Sequence, residues 1–177
     1  MNRTVFNRLL VLLGLLLSTT LGALEVGDQA PPFSLQATDG KTYSLEQFHN
    51  KQAIVIAWYP KAFTSGCTIE CKSLAQNGHL LKRLDVTYFM ASVDPLESNQ
   101  KFAEENEADF PLLSDPTKEV ARAYDVLAFY GFPKRHTLYI GKDGKVLFID
   151  RKINAATSAQ DMAAKLEELG IPARQAS

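Results

Sequence analysis

The sequence predicts a single α/β domain with a mixed, mostly parallel central sheet, helices on both faces and an N-terminal hairpin. Ala53 to Trp58 is a continuous apolar run, as in a strand buried on both faces, and Val86 to Ser92 reads as a second one. Helical segments with cap chemistry alternate with these strands. Asp39-Gly40 and Asp143-Gly144 mark two hairpin turns.

Taken in order, the chain begins with Arg3 and Arg8 ahead of an apolar run, Leu9 to Leu17, followed by Ser18-Thr19-Thr20-Leu21-Gly22-Ala23. This is the layout of a secretory signal peptide. The run is shorter than the ~20 apolar residues that span a bilayer. No Cys lies near the expected cut, after Gly22 or Ala23, to carry a lipid. The expectation is a periplasmic protein with no membrane attachment after cleavage, and an uncleaved anchor is the alternative. Residues 1–23 are the signal, 24–173 the domain and 174–177 a short tail.

Pro32 to Ala37 and Lys41 to Ser44 form the first hairpin, and Ser44 to Gln47 reads as a capping box. After the strand at Ala53, one helix is expected from about Gly66 to Leu84. Asp94-Pro95 opens another after the second strand, with Asp94 as cap and Pro95 at the first helical position, running to about Ala108. Phe110 to Leu113 is a short strand that Pro111 confines to an edge or a strand start. Asp115-Pro116 starts a helix ending near Val126. His136 to Ile140 and Lys145 to Ile149 pair about the second Asp-Gly turn. Ser158 to Asp161 caps a last helix, where Met162, Leu166 and Leu169 recur at helical spacing. This order matches a thioredoxin-like architecture with an insertion.

Composition narrows the function. The 177 residues fit one domain, and 46% hydrophobic with 22% charged residues is ordinary for a soluble protein. A formal charge of −1 provides no basic footprint for nucleic acid. Loss of the signal leaves 17 basic against 20 acidic residues, a net −3. The two cysteines, Cys67 and Cys71, close too short a loop to be a useful staple. In an exported protein such a pair is oxidised or redox-active.

Cys67 sits between a buried strand and the start of a helix, where open α/β sheets place ligands. A free thiol is only about 3% thiolate at pH 7. A helix N-terminus, with its unpaired N–H groups and positive partial charge, favours the anion, and a nearby Arg adds a full charge. Thiolate attacks peroxide and becomes sulfenic acid. Pro60 ends the strand and shields the thiol, Thr64 offers a hydroxyl to the helix or to a ligand, and Gly66 admits a small substrate. Turn proline, N-cap and loop glycine are the corresponding structural readings.

Pro60, Thr64 and Cys67 match the Pro-x-x-x-Thr-x-x-Cys signature of peroxiredoxins. The wider string from Trp58 to Thr68 resembles the Q-type branch, the bacterioferritin comigratory proteins, as do Gly27 to Pro31 and Leu112 to Pro116. The resemblance spans most of residues 25–170. It implies that Arg135, just before a late strand, and Thr64 hold the peroxide oxygens beside Cys67. It also places an acid or amide at Glu70, to orient polar groups; a first-turn acid suited to the helix dipole accounts for Glu70 equally well. It implies a peroxide substrate, a thioredoxin-like reductant, no cofactor or metal, and a monomer. Q-type enzymes with a resolving Cys on this helix place it five residues on, whereas Cys71 is four residues on. Cys71 is therefore either the resolving thiol or a packed core residue, with an external thiol then resolving Cys67.

Other groups are less informative. His49 and His79 carry no metal-like spacing. Trp58, Tyr59, Phe63, Phe129, Tyr130 and Phe132 either wall an apolar pocket or pack in core and surface, and the 129–133 segment could face a partner subunit. One rival reading is a copper-binding protein similar to cytochrome oxidase assembly factors, using Cys67, Cys71 and a His. Those factors usually have Pro after the first Cys, where Thr68 stands. A disulfide-exchange protein would want Cys-x-x-Cys, and a pure interaction module would have an ordinary thiol.

Overall fold

The computed structural model describes residues 23–175. The signal read over residues 1–23 lies, but for Ala23, outside the described residues. No helix among the described residues is long and apolar enough to cross a membrane.

Seven strands form one sheet, β1 (Ser34–Ala37), β2 (Thr42–Ser44), β3 (Ala53–Trp58), β4 (Val86–Ser92), β5 (Leu112–Ser114), β6 (His136–Ile140) and β7 (Val146–Asp150), in the order β2-β1-β5-β4-β3-β6-β7. The thioredoxin-like α/β class holds, but the sheet is not mostly parallel. Only β3·β4 and β4·β5 run parallel, while both hairpins and the β1·β5 and β3·β6 ladders are antiparallel. The reason is that each hairpin docks on a strand of the parallel centre and reverses direction there.

The apolar run of β3 follows the period of a strand. Ala53, Val55 and Ala57, with Tyr59 beyond them, enter one core with Leu74, Phe102 and Met162. Ile54, Ile56 and Trp58 enter the other core with Phe89, Leu113 and Tyr124. Both faces are covered, which is why the run does not alternate with polar residues.

The helices are α1 (Ser65–Asn77), α2 (His79–Lys82), α3 (Leu96–Glu105), α4 (Glu119–Ala123) and α5 (Ser158–Glu168). The single helix expected over 66–84 is broken at Gly78. A Cβ there would collide with the Tyr88 hydroxyl and lie 2.7 Å from the Leu74 carbonyl oxygen. Pro95 stands at the N-cap of α3 rather than inside it, and the Asp94 carboxylate accepts from Ala62 N at 2.9 Å. The helix expected from Asp115 shrinks to α4, and Asp115 reaches forward to accept from Ala121 N at 2.8 Å. Ser44 N donates to Gln47 Oε1 at 3.3 Å, as the capping box requires. The 172–174 segment docks beside β4. Asp85 N donates to Pro172 O at 2.8 Å, and Arg174 Nη2 donates to Val86 O at 2.6 Å, so ordered contacts extend into the residues read as a tail.

Candidate active site

The loop from Tyr59 to Thr64 leaves the carboxyl end of β3 and turns into α1. It is tied at three points. Tyr59 N donates to Ala91 O at 2.9 Å, Ala62 N to Asp94 Oδ2 at 2.9 Å, and Thr64 Oγ1 to Lys61 O at 2.9 Å. Phe63 carries the sharp turn at φ 63°, a conformation bulky residues rarely adopt. Its ring meets Phe102 edge-on, with centroids 5.4 Å apart.

Thr64 stands at the N-cap with an extended backbone, but its hydroxyl makes no cap bond. The first bond of the helix ladder runs from Thr68 N to Thr64 O, at 2.9 Å. The N–H groups of Ser65, Gly66 and Cys67 precede it and have no acceptor one turn back in the helix. Pro60 is half-buried and Thr64 exposed beside this opening, while the Cys67 side chain is fully covered.

Arg135 precedes β6, where His136 pairs with Trp58 at the end of β3. That register brings the guanidinium level with the start of α1. Arg135 Nη2 donates to Cys67 Sγ at 3.0 Å, and Nη1 pairs with the Glu70 carboxylate. Gly66 makes room for this approach, because a Cβ there would lie 3.2 Å from Nη2. Its use in this fold is to admit an arginine. Burial disfavours the Arg135 charge, but Glu70 and the Cys67 sulfur outweigh it and hold the guanidinium above its ordinary pKa.

Glu70 is wholly buried. Burial pushes its carboxyl up, opposed by the Arg135 charge and by hydrogen bonds from Arg135 and Ser158. Its place is therefore inside the site and not on an exposed first turn. Ser158 Oγ donates to Glu70 Oε1 at 3.3 Å. Reading the sequence misses this hydroxyl, since Ser158 looks like a helix cap. In the fold, Thr157 takes the N-cap position, and its Oγ1 donates to Asp161 Oδ2 at 2.6 Å.

Cys71 lies one turn along α1 and is also wholly buried. Burial first, then the charges of Glu70 and Cys67, push its thiol up to about 12. In the folded state at neutral pH it is a protonated thiol.

The aromatic set divides. Trp58 and Tyr59 belong to the two cores, whereas Phe63, Phe129, Tyr130 and Phe132 are exposed. His136 is half-buried, and burial with the charges of Arg151 and Lys134 lowers its pKa. Among the described residues, no group of three or more His, Cys, Asp or Glu gathers as a metal site. The copper reading therefore lacks a third ligand.

Residues 26–149 match the model of the AhpC/TSA family. The chain is similar to the peroxiredoxin Bcp of Escherichia coli K12, with 34% identity over 133 residues, covering 71% of this chain and 85% of that protein. It is 29% identical to the peroxiredoxin Bcp of Bacillus subtilis, covering 82% and 97%. Among solved structures it resembles the Mycobacterium tuberculosis peroxidoxin BcpB, with TM-score 0.73, 28% identity and coverage of 82% and 97%. It also resembles the bacterioferritin comigratory protein of Xanthomonas campestris, described for its alkyl peroxide reduction activity. There the TM-score is 0.73, the identity 26% and the coverage 82% and 96%.

Proposed function

This chain belongs to the AhpC/TSA family and is a peroxiredoxin-type thiol peroxidase, an antioxidant oxidoreductase, and from that premise we propose that Cys67 is the sulfur that attacks the peroxide. The observation that carries this reading is the 3.0 Å contact between Arg135 Nη2 and Cys67 Sγ at the uncapped start of α1.

The Cys67 thiolate attacks an oxygen of hydrogen peroxide or of an alkyl hydroperoxide. The S–O bond forms as the O–O bond breaks, and sulfur is oxidised to sulfenic acid. The leaving hydroxide or alkoxide takes a proton from solvent and departs as water or alcohol. Arg135 and the free N–H groups of the first turn stabilise the charge that develops on the leaving oxygen. Thr64, exposed at the mouth, offers its hydroxyl to the same oxygens, and Pro60 keeps bulk water off the sulfur. Because Cys67 is fully covered, peroxide enters only when the Arg135 head or the 60–66 loop shifts.

Cys71 then attacks the sulfenic acid, water leaves and a disulfide forms. Cβ atoms at i and i+4 of a helix are about 5–6 Å apart, and a disulfide needs about 3.5–4.5 Å. The first turns of α1 therefore open, which also brings the protonated Cys71 toward water. A thioredoxin-like dithiol protein returns two electrons and two protons and restores both thiols. The 1–23 pattern supports export to the periplasm, and the chain acts as a monomer.

Peroxide consumption with a thioredoxin system tests the scheme. Cys67→Ser reduces it to the uncatalysed background. Cys71→Ser retains the first oxidation and loses thioredoxin-driven turnover. A lone sulfenic acid in the mass spectrum of wild type after one equivalent of peroxide, with Cys71 still free, refutes the resolving role.

A further inference from the structure

We propose that Ser158 is a positioning residue of this site: its hydroxyl fixes the Glu70 carboxylate, which fixes Arg135 over the Cys67 sulfur. The inference rests on the reading of Cys67 and Arg135 given above and extends it to a residue on the last helix.

Each polar atom in the chain of contacts has its own partner. Ser158 Oγ is bonded to Glu70 Oε1 at 3.3 Å, Glu70 Oε2 to Arg135 Nη1, and Arg135 Nη2 to Cys67 Sγ at 3.0 Å. Ser158 is 2% exposed and Glu70 0% exposed, so bulk water does not reach this pair. A serine at the start of a helix usually serves its own helix. Here Thr157 occupies the N-cap and the Ser158 hydroxyl turns inward. The next residue secures the geometry, because Ala159 N donates to Ser73 Oγ on α1 at 3.3 Å. Ser158 and Glu70 are thus clamped between α5 and α1.

The titratable or charged groups facing Glu70 are Cys67 and Cys71 on its own helix and Arg135 from the strand side, while α5 contributes only the neutral Ser158 hydroxyl. Cys71 is a protonated thiol, so ionised Glu70 is held by Arg135 and Ser158 alone among the described side chains. Burial already favours the neutral acid. Without the hydroxyl, Glu70 takes up a proton at higher pH. A neutral Glu70 no longer anchors the guanidinium, whose side chain is 21% exposed and free to swing toward water.

The test is stopped-flow oxidation of the reduced full-length chain by hydrogen peroxide, read by the fluorescence of the single tryptophan, Trp58, from about pH 5 to about pH 9. Ser158→Ala is expected to react about tenfold more slowly than wild type at the acid end, the effect of losing one hydrogen bond to a charged group. Its acid limb moves to higher pH and its rate approaches wild type above that limb. Ser158→Thr retains the wild-type limb, because the hydroxyl is present. In a Glu70→Gln background, Ser158→Ala moves no limb. An unmoved limb in Ser158→Ala overturns the proposal. So does an equal slowing at every pH together with a lower melting midpoint, which would mark a packing role only. If wild type reacts no faster than free cysteine, the assignment of Cys67 itself fails, and the role of Ser158 falls with it.

Discussion

Helix α1 follows β3 and helix α3 follows β4, at the same end of two adjacent parallel strands. Neither start has a side-chain cap. At α3 the polar groups close on one another. Asn99 accepts from the Tyr59 hydroxyl at 2.7 Å and donates to Ser92 Oγ at 3.1 Å. Ser114 Oγ donates to Asp94 O at 2.6 Å, and the Asp94 carboxylate grips the loop at Ala62. At α1 the polar groups converge on one sulfur, and the first-turn N–H groups have no side-chain cap. On the proposed reading of Cys67, the same β-to-α connection serves once as scaffold and once as chemistry, and the scaffold end holds the loop of the other. What distinguishes them is whether the buried polar network is closed or leaves a reactive atom in it.

Removing Arg135 should break this contrast most severely. Arg135→Ala is expected to slow Cys67 oxidation by about 10²–10³-fold, the usual loss for a group that stabilises developing charge. It also leaves Glu70 buried without its partner. Breaking a buried pair costs about 3–5 kcal/mol, here toward the lower end because Glu70 can protonate instead. Stopped-flow rates and urea melts measure the two effects, and a wild-type rate would mean that α1 is not the chemical end.

Asn99→Ala sharpens the comparison from the other side. It strands the Tyr59 hydroxyl in the core and leaves Ser92 Oγ with only the bond from Asp94 N, for an expected loss of about 2–3 kcal/mol. The folded fraction should oxidise at close to the wild-type rate. A collapse in rate with little loss of stability would show that the two helix starts are one functional unit.

The smallest effect is a pH dependence. Burial raises the folded-state pKa of Glu70, so the native state holds this proton more tightly than the unfolded chain. The associated stability is fully present below the unfolded value, about 4.3, and is lost as pH rises through the higher folded value. Melts should therefore show wild type gaining on Glu70→Gln as pH falls across that window. Asn99 does not titrate, so Asn99→Ala should run parallel to wild type over the same range.

Much of this was legible before the fold was known. The bounds of β3, β4 and β6 agree with the runs read from the sequence, and the motif from Pro60 to Cys67 marks the loop and helix start at which Arg135 and Glu70 gather. The helix starts were less accessible. Asp94 has the right residue type for a local cap, yet its carboxylate bonds Ala62, because the tertiary fold brought a competing N–H group within reach, whereas Asp115 serves the first turn of α4 at Ala121 from outside the helix. The helix expected over 66–84 breaks at Gly78, where the approach of Tyr88 leaves no room for a side chain.

The sequence alone determined the strands, the turns and which cysteine begins a helix, because apolar period, Asp-Gly turns and the spacing of Pro60, Thr64 and Cys67 are local properties of the chain. The tertiary structure decided which side chains meet. Arg135 and Glu70 are 65 residues apart, and Ser158 and Glu70 are 88 apart. Their contacts depend on β6 lying antiparallel beside β3 and on α5 packing across α1, and no local pattern encodes that register.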